Sequence, residues 1–272
     1  MSAEDGVTTL ARACDSLDEY LALGNEVDRL VAPGPEARFV RRPGAPSIWD
    51  ANHVSGARGD GADVDTLLAR AAEHYAGFPQ LCFQCDPLTP TALEARLVLD
   101  GYRLHAELEL LLEGELEARP GACQIRLAER DEDWERIVEL SRIDHSEQGR
   151  RAERPPFSEQ LTRDLVGGRR AKGPSVRTWL ARADGVACAF LSSWPGGNGV
   201  GKVEDLFTRP DFRHRGIATA LIVHAVEDAR ARGAGPVLIG ADPNDTPRHM
   251  YAQIGFRPFL MRRRYVKGAS GR

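Results

Sequence analysis

The chain lacks a disulfide framework, a membrane span and, almost entirely, lysine. Its five cysteines, Cys14, Cys82, Cys85, Cys123 and Cys188, are odd in number, whereas small secreted scaffolds stapled by bridges carry even sets. Cys82 and Cys85 form a C-x-x-C inside a strand-like run, Gln80 to Cys85. Positions i and i+3 of a strand face opposite ways, and no second cysteine pair or spaced histidine pair completes four ligands. The expectation is buried structural thiols and no metal. No stretch approaches the roughly 18 apolar residues that cross a bilayer. The first residues, Met1-Ser2-Ala3-Glu4-Asp5-Gly6, lack the basic start of a signal peptide, so the expected location is cytoplasmic, with no membrane partner. Only Lys172, Lys202 and Lys267 are lysines beside abundant arginine and alanine, a bias typical of GC-rich bacterial genomes. A net charge of −4 and a pI near 6.0 give no general pull toward nucleic acid or anionic lipid.

What is present points to an anion cradle. An apolar strand, Lys202 to Thr208, stops at Arg209-Pro210, turns through Arg213-His214-Arg215-Gly216 and opens an amphipathic helix from Ala218 to Arg232. Such a turn gathers backbone N–H groups at a helix N-terminus, where the dipole favours an anion such as a pyrophosphate. Gly216 lets the backbone approach closely, and Ala218 keeps the first turn uncrowded. Downstream, a second apolar strand, Val237 to Gly240, precedes Asn244, Tyr251 and Gly255-Phe256 in the spacing N-x6-Y-x3-G-F.

The R-x-x-G-x-A turn, the Val203–Arg213 run before it and this later spacing resemble the C-terminal half of the GNAT acyl-CoA N-acyltransferase superfamily. The resemblance covers residues 202 to 257. It implies acetyl-CoA as cofactor, held by Leu206, Phe207, Thr208, Arg213, His214, Arg215, Gly216, Ile217, Ala218 and Thr219, with Asn244 on the pantetheine arm. The run Glu204-Asp205-Leu206-Phe207 resembles the Glu-Asp-Phe-Phe of diamine acetyltransferases in this superfamily, which makes Glu204 the favoured base acting through water and leaves Asp205 as the other candidate. Strict strand alternation puts Glu204, Leu206 and Thr208 on one face and Asp205 and Phe207 on the other. The alternative for both acids is a structural pair satisfied by Arg209, Arg213 or Lys202. Tyr251 is the candidate acid for the departing thiolate, since a phenol with a reference pKa of about 10 can protonate a thiolate whose acid sits at about 8.5.

The expected fold is a mixed α/β sandwich of two GNAT-like domains, each a mostly antiparallel mixed sheet flanked by helices. The polar segment from Glu113 to Pro120-Gly121 reads as the linker, giving domains 1–119 and 120–272. After it the pattern predicts a helix over Asp131–Ile143, a basic loop, and a helix over Ser158–Leu165. That loop, Asp144 to Arg154, is where the family holds its acceptor, so His145 and Arg150 join Glu204 and Asp205 as substrate candidates. A solvated charge run is the plainer reading. The first 119 residues echo the arrangement, with helices at Leu10–Val31 and Val64–Tyr75 and strands at Ala37–Arg41, Gln80–Cys85 and Arg103–Leu112. The turn matching the cradle carries Asp60 and Asp63, which would repel a pyrophosphate. The expectation is a degenerate domain that has lost cofactor binding, with an unrelated α/β domain as the alternative.

Three functions follow from the resemblance. The first is an N-acetyltransferase acting on a small-molecule amine, as a monomer or homodimer. The second is an acyltransferase with another donor or acceptor, such as aminoacyl-tRNA or a protein N-terminus. Arg262-Arg263-Arg264 would have to join a larger basic patch for RNA binding, so nucleic acid is not an expected partner. The third is a catalytically silent CoA-binding module.

Overall fold

The computed structural model describes residues 3–30, 36–59, 63–151, 153, 155, 157–243 and 247–268. The chain runs α1 (Ala3–Ala22), β1 (Glu26–Leu30), β2 (Glu36–Arg41), β3 (His53–Arg58), α2 (Val64–His74), β4 (Gln80–Cys85), α3 (Thr91–Leu99) and β5 (Arg103–Leu112). It continues β6 (Gln124–Leu127), α4 (Asp131–Arg151), α5 (Glu159–Ala171), β7 (Arg177–Ala183), β8 (Val186–Trp194), β9 (Gly201–Thr208), α6 (Ile217–Ala231), β10 (Val237–Ala241), α7 (Pro247–Gln253) and β11 (Arg257–Gly268). Both units are mixed α/β. None of the described helices is long and apolar enough to cross a membrane.

Residues 1–110, 241–248 and 258–272 make the first compact unit, and 111–240 with 249–257 the second. In the first unit the strands lie in the order β1, β2, β3, β4, β11, β5. The last strand is thus inserted beside β4, antiparallel, with Tyr265 opposite Phe83 and Val266 opposite Cys82. The core of this unit gathers Phe39, Val54, Leu67, Ala71, Phe83, Leu93, Leu97 and Tyr265. Leu67 and Ala71 are one helical turn apart, the stripe that packs α2 on the sheet. In the second unit the order is β10, β9, β8, β7, β6, antiparallel from β6 to β9 and parallel between β9 and β10. Ile137, Val138 and Leu140 of α4 and Val166 of α5 pack against Leu180, Phe190 and Phe207. On α6, Ile217, Leu221, Ala225 and Ala229 recur at four-residue spacing and are all buried.

Three local expectations are corrected. The helix predicted over Leu10–Val31 stops at Ala22, because Gly24 takes φ +72° and Asn25 donates its side-chain amide to the Leu21 carbonyl, an αL stop after which β1 begins. The loop predicted after Ile143 is helical to Arg151. Its polar sequence hid the period, but Gln148 donates to Asp144 one turn back, and Arg150 and Arg151 lie at the favourable C-terminal end of the dipole. Ser55 to Arg58, read as part of a turn, belong to β3.

One irregularity occurs in both units. On β9, Glu204 is opposite Ser192 and Phe207 opposite Phe190, so Asp205 and Leu206 together face the single residue Leu191. On β3, Ser55 is opposite Arg38 and Arg58 opposite Glu36, so Gly56 and Ala57 face Ala37 alone. Each is a β-bulge, one extra residue in one strand. Each bulge has a left-handed residue at the same place, φ +65° at Asp205 and φ +61° at Gly56. Each strand also pairs in parallel with the next, Val203 with Ile239 and Val54 with Phe83.

Candidate active site

The turn from β9 to α6 is built to leave amides unpaired. Arg209 N donates to the Cys188 carbonyl, and Arg213 Nε returns to the Thr208 carbonyl at 3.0 Å, which folds the chain back on the strand end. His214 and Gly216 both take positive φ, +60° and +71°, a turn conformation that aims successive N–H groups into a concavity. Gly216 is the N-cap of α6, with no side chain capping and no acid in the first turn. The amides of Ile217, Ala218 and Thr219 therefore lie in the first helical turn, where no carbonyl four residues back completes a helical bond. A Cβ on Gly216 would stand 2.7 Å from Gly121 N, whose amide donates to the Gly216 carbonyl at 3.0 Å, so only glycine fits. The buried Thr208 hydroxyl at the strand end has no hydrogen-bond partner among the described residues. Two arginines flank the turn: Arg213 holds Glu147 of α4 through both carboxylate oxygens, at 3.1 and 2.5 Å, and Arg215 pairs with Asp184 at 2.9 Å.

The bulge overturns the strict alternation expected for β9. Ser192 and Phe190, two apart on β8, share a face, so their partners Glu204 and Phe207 share it too. That face is covered by α4 and α5. Glu204 accepts from the fully buried Lys202 ammonium at 2.6 Å. Asp205 accepts from Arg169 Nε of α5 at 2.7 Å, and the Arg169 guanidinium lies 5.0 Å over the Phe190 ring. Burial pushes the Asp205 carboxyl up, but the Arg169 charge and hydrogen bond, with Lys172 and Lys202, outweigh it and hold the group below its ordinary range. Of the counter-charges considered for these acids, Lys202 takes Glu204, while Arg209 is paired with Asp211 and Arg213 with Glu147. Leu206 shares the bulge with Asp205.

On the facing helices, His145 Nδ1 lies 2.8 Å from the Thr162 hydroxyl, with its ring 4.7 Å from Phe157. Arg150 is exposed in the last turn of α4. Sequence reasoning passed over Asp144, whose carboxyl is pushed up to about 6 by burial and by Glu147 and Asp205, against the Gln148 hydrogen bond and Arg169. Arg169 and Glu147 were missed as well. An arginine or a glutamate on an amphipathic helix carries no sequence signal that it will meet a bulge or a turn distant in the chain. Tyr251 lies in α7, 5% exposed, with its ring 6.3 Å from that of Phe256. Asn244 falls outside the described residues.

The acetyltransferase (GNAT) family model matches residues 134–256, which run from within α4 to the residue before β11. A glucosamine 6-phosphate N-acetyltransferase from Trypanosoma brucei brucei is 30% identical over 115 residues, covering 40% of this chain and 77% of that protein. The chain belongs to the GNAT acetyltransferase family. The fold likeness extends beyond the matched segment. A GCN5-related N-acetyltransferase from Kribbella flavida superposes with a TM-score of 0.66 at 17% identity, over 97% of this chain and 95% of its own. A tandem GNAT protein from the clavulanic acid biosynthesis pathway superposes with a TM-score of 0.63 at 15% identity, over 97% and 93%. At these identities the likeness is one of fold, and it includes the N-terminal unit, which the family model does not reach.

Proposed function

We propose that the second unit binds acetyl-CoA and transfers its acetyl group to the amine of a small molecule, and that the first unit is a GNAT-like partner that has lost cofactor binding. The observation that carries the reading is the start of α6: a glycine N-cap with positive φ, no capping side chain, no first-turn acid, and Arg213 and Arg215 just before it. A diphosphate accepts from several such amides at once. The unpartnered Thr208 hydroxyl at the adjoining strand end adds a polar group in need of a ligand. Acetyl-CoA supplies the activated acyl group. The bulge leaves an extra residue of β9 outside its ladder, so a backbone amide there is free to donate to a developing oxyanion. Glu204 receives the amine proton through water, and Tyr251 supplies a proton to the departing thiolate.

Transfer to aminoacyl-tRNA finds no support in the arginine triple. Arg262 pairs with Glu107 and Glu109, Arg263 with Glu94, and Arg264 with Asp50. A silent CoA-binding module draws support from one feature: Lys202 already neutralises Glu204. Thiol release from acetyl-CoA over a panel of amines separates the two readings. Calorimetry on Ala218→Asp tests the cradle itself. An acid in the first turn favours the helix but opposes a bound diphosphate, so the variant stays folded and loses CoA affinity by about 100-fold or more. Unchanged affinity would remove the cradle from the proposal.

A further inference from the structure

Asp205 holds a backbone conformation that L-residues avoid, and holds it inside a strand. A non-glycine residue at φ +65° is uncommon, and although aspartate tolerates that region better than most side chains, inside a strand it still costs energy that the surroundings must offset. The matching position of the first unit is Gly56 at φ +61°, where glycine needs no enforcement. The surroundings differ in the same sense. A side chain at Gly56 would meet Asp18 Oδ2 at 2.9 Å, which leaves no room for a clamp. Asp205 is gripped by Arg169, which comes from α5, is 12% exposed and is itself seated on Phe190. Phe190 is the cross-strand partner of Phe207 at the far end of the bulge. One guanidinium thus touches both the left-handed residue and the ring that closes the irregularity.

We propose that Arg169 is a positioning residue that acts through Asp205, clamping the β9 bulge in the conformation that presents its backbone to the acyl group. The inference rests on the transferase reading for its catalytic meaning and on the two bulges for its structural one. The carboxylate serves as the handle by which the backbone is held, a handle that glycine at this position would lack.

The clamp predicts a rescue that a purely structural arginine would not give. Arg169→Met leaves the strained residue unheld, so kcat falls at least 10-fold while CoA affinity changes less than 3-fold. Arg169→Lys recovers part of the loss, since an ammonium reaches the carboxylate but lacks the planar seat on Phe190. The double variant Arg169→Met/Asp205→Gly supplies a residue that adopts the conformation unaided, and kcat recovers at least 3-fold over Arg169→Met. Hydrogen exchange reads the same cycle without turnover: protection at the ladder residues flanking the bulge, 204, 207 and 208, drops in Arg169→Met and returns in the double variant. A double variant as slow and as open as Arg169→Met overturns the clamp. If the wild type neither binds CoA nor turns it over, the transferase reading falls, and the exchange data alone decide whether Arg169 holds the bulge.

Discussion

The two bulged strands are the same backbone carrying different chemistry. Aligned on the bulge, Ser55, Gly56, Ala57 and Arg58 of β3 match Glu204, Asp205, Leu206 and Phe207 of β9. The candidate base is a buried serine in the first unit, and the strained aspartate is a glycine. Each strand leads into a helix whose first turn could meet an anion. However, α6 begins with Gly216 and no acid, whereas α2 follows Asp63 and carries Asp65 in its first turn. If the first unit has lost cofactor binding, as proposed, geometry has outlasted function there: the β3 bulge stands without the acids that accompany it in β9. Around it the first unit has put a buried ionic knot, in which Arg58 holds Asp86 at 2.7 Å and approaches Asp18 at 4.0 Å.

The largest effect should come from removing β11. A chain stopped after Phe256 deprives β4 of its antiparallel neighbour and loses the pairings of Arg263 and Tyr265 with Glu94 and of Arg264 with Asp50. The first unit should lose slow hydrogen exchange along β4, while α6 and β9 keep theirs. Equal protection of β4 with and without the strand would remove it from the first unit.

Next comes the asymmetry in chemistry. Glu204→Gln and Tyr251→Phe should each lower kcat by roughly 10 to 10⁴-fold, measured on the folded fraction because Glu204→Gln also removes the carboxylate paired with the buried Lys202. The matched change Ser55→Ala should leave kcat unaltered and stability equal or slightly higher, since the buried Ser55 hydroxyl has no hydrogen-bond partner among the described residues. A titration should find one CoA per chain. Two equivalents, or a catalytic loss from Ser55→Ala, would restore the first unit as a working site.

A smaller effect is expected at Gly56. Gly56→Ala places a Cβ 2.9 Å from Asp18 Oδ2 at positive φ and should destabilise by about 1–3 kcal/mol in urea unfolding. A neutral outcome would mean that the β3 bulge relaxes freely.

A different kind of effect concerns pH. Burial, with the adjacent Asp86 charge, raises the Asp18 carboxyl from 3.8 to about 7, against Arg38 and Arg58. Asp15 and the buried Cys14 thiol face the same cluster. The native state binds this proton more tightly than the unfolded chain, so stability is full below pH 4, falls as pH rises toward 7, and is level above. The drop should be on the order of 2–4 kcal/mol, and Asp18→Asn should flatten it. A wild-type profile already flat between pH 4 and 7 would place Asp18 in a wetter environment than its burial implies.

Much of the second unit could be read from its sequence, because local rules govern it. A strand stopping at Arg209-Pro210 and a glycine opening an alanine-rich helix are short-range signals, and both describe the turn found there. The acids at 204 and 205 were visible as residues but not as geometry. A bulge depends on which residues of β8 lie opposite, and no spacing within Lys202–Thr208 reveals it. The helical run of Asp144–Arg151 was hidden because its support is polar and one turn apart. Strand β11 was hidden for a different reason: three consecutive arginines resemble a surface run until Glu107, Glu109, Glu94 and Asp50, all distant in sequence, pair with them.

The place of β11 in the first unit also bears on the order in which the protein assembles on the ribosome. Strands β1 to β5 emerge first, yet the strand that lies between β4 and β5 is made only after all of β6 to β10. The first unit must wait, with the flanks of β4 and β5 open, while residues 111–240 are synthesised and can already collapse around their own core. The N-terminal half of this chain is therefore the last to close, and that delay is where chaperone dependence and misassembly should concentrate.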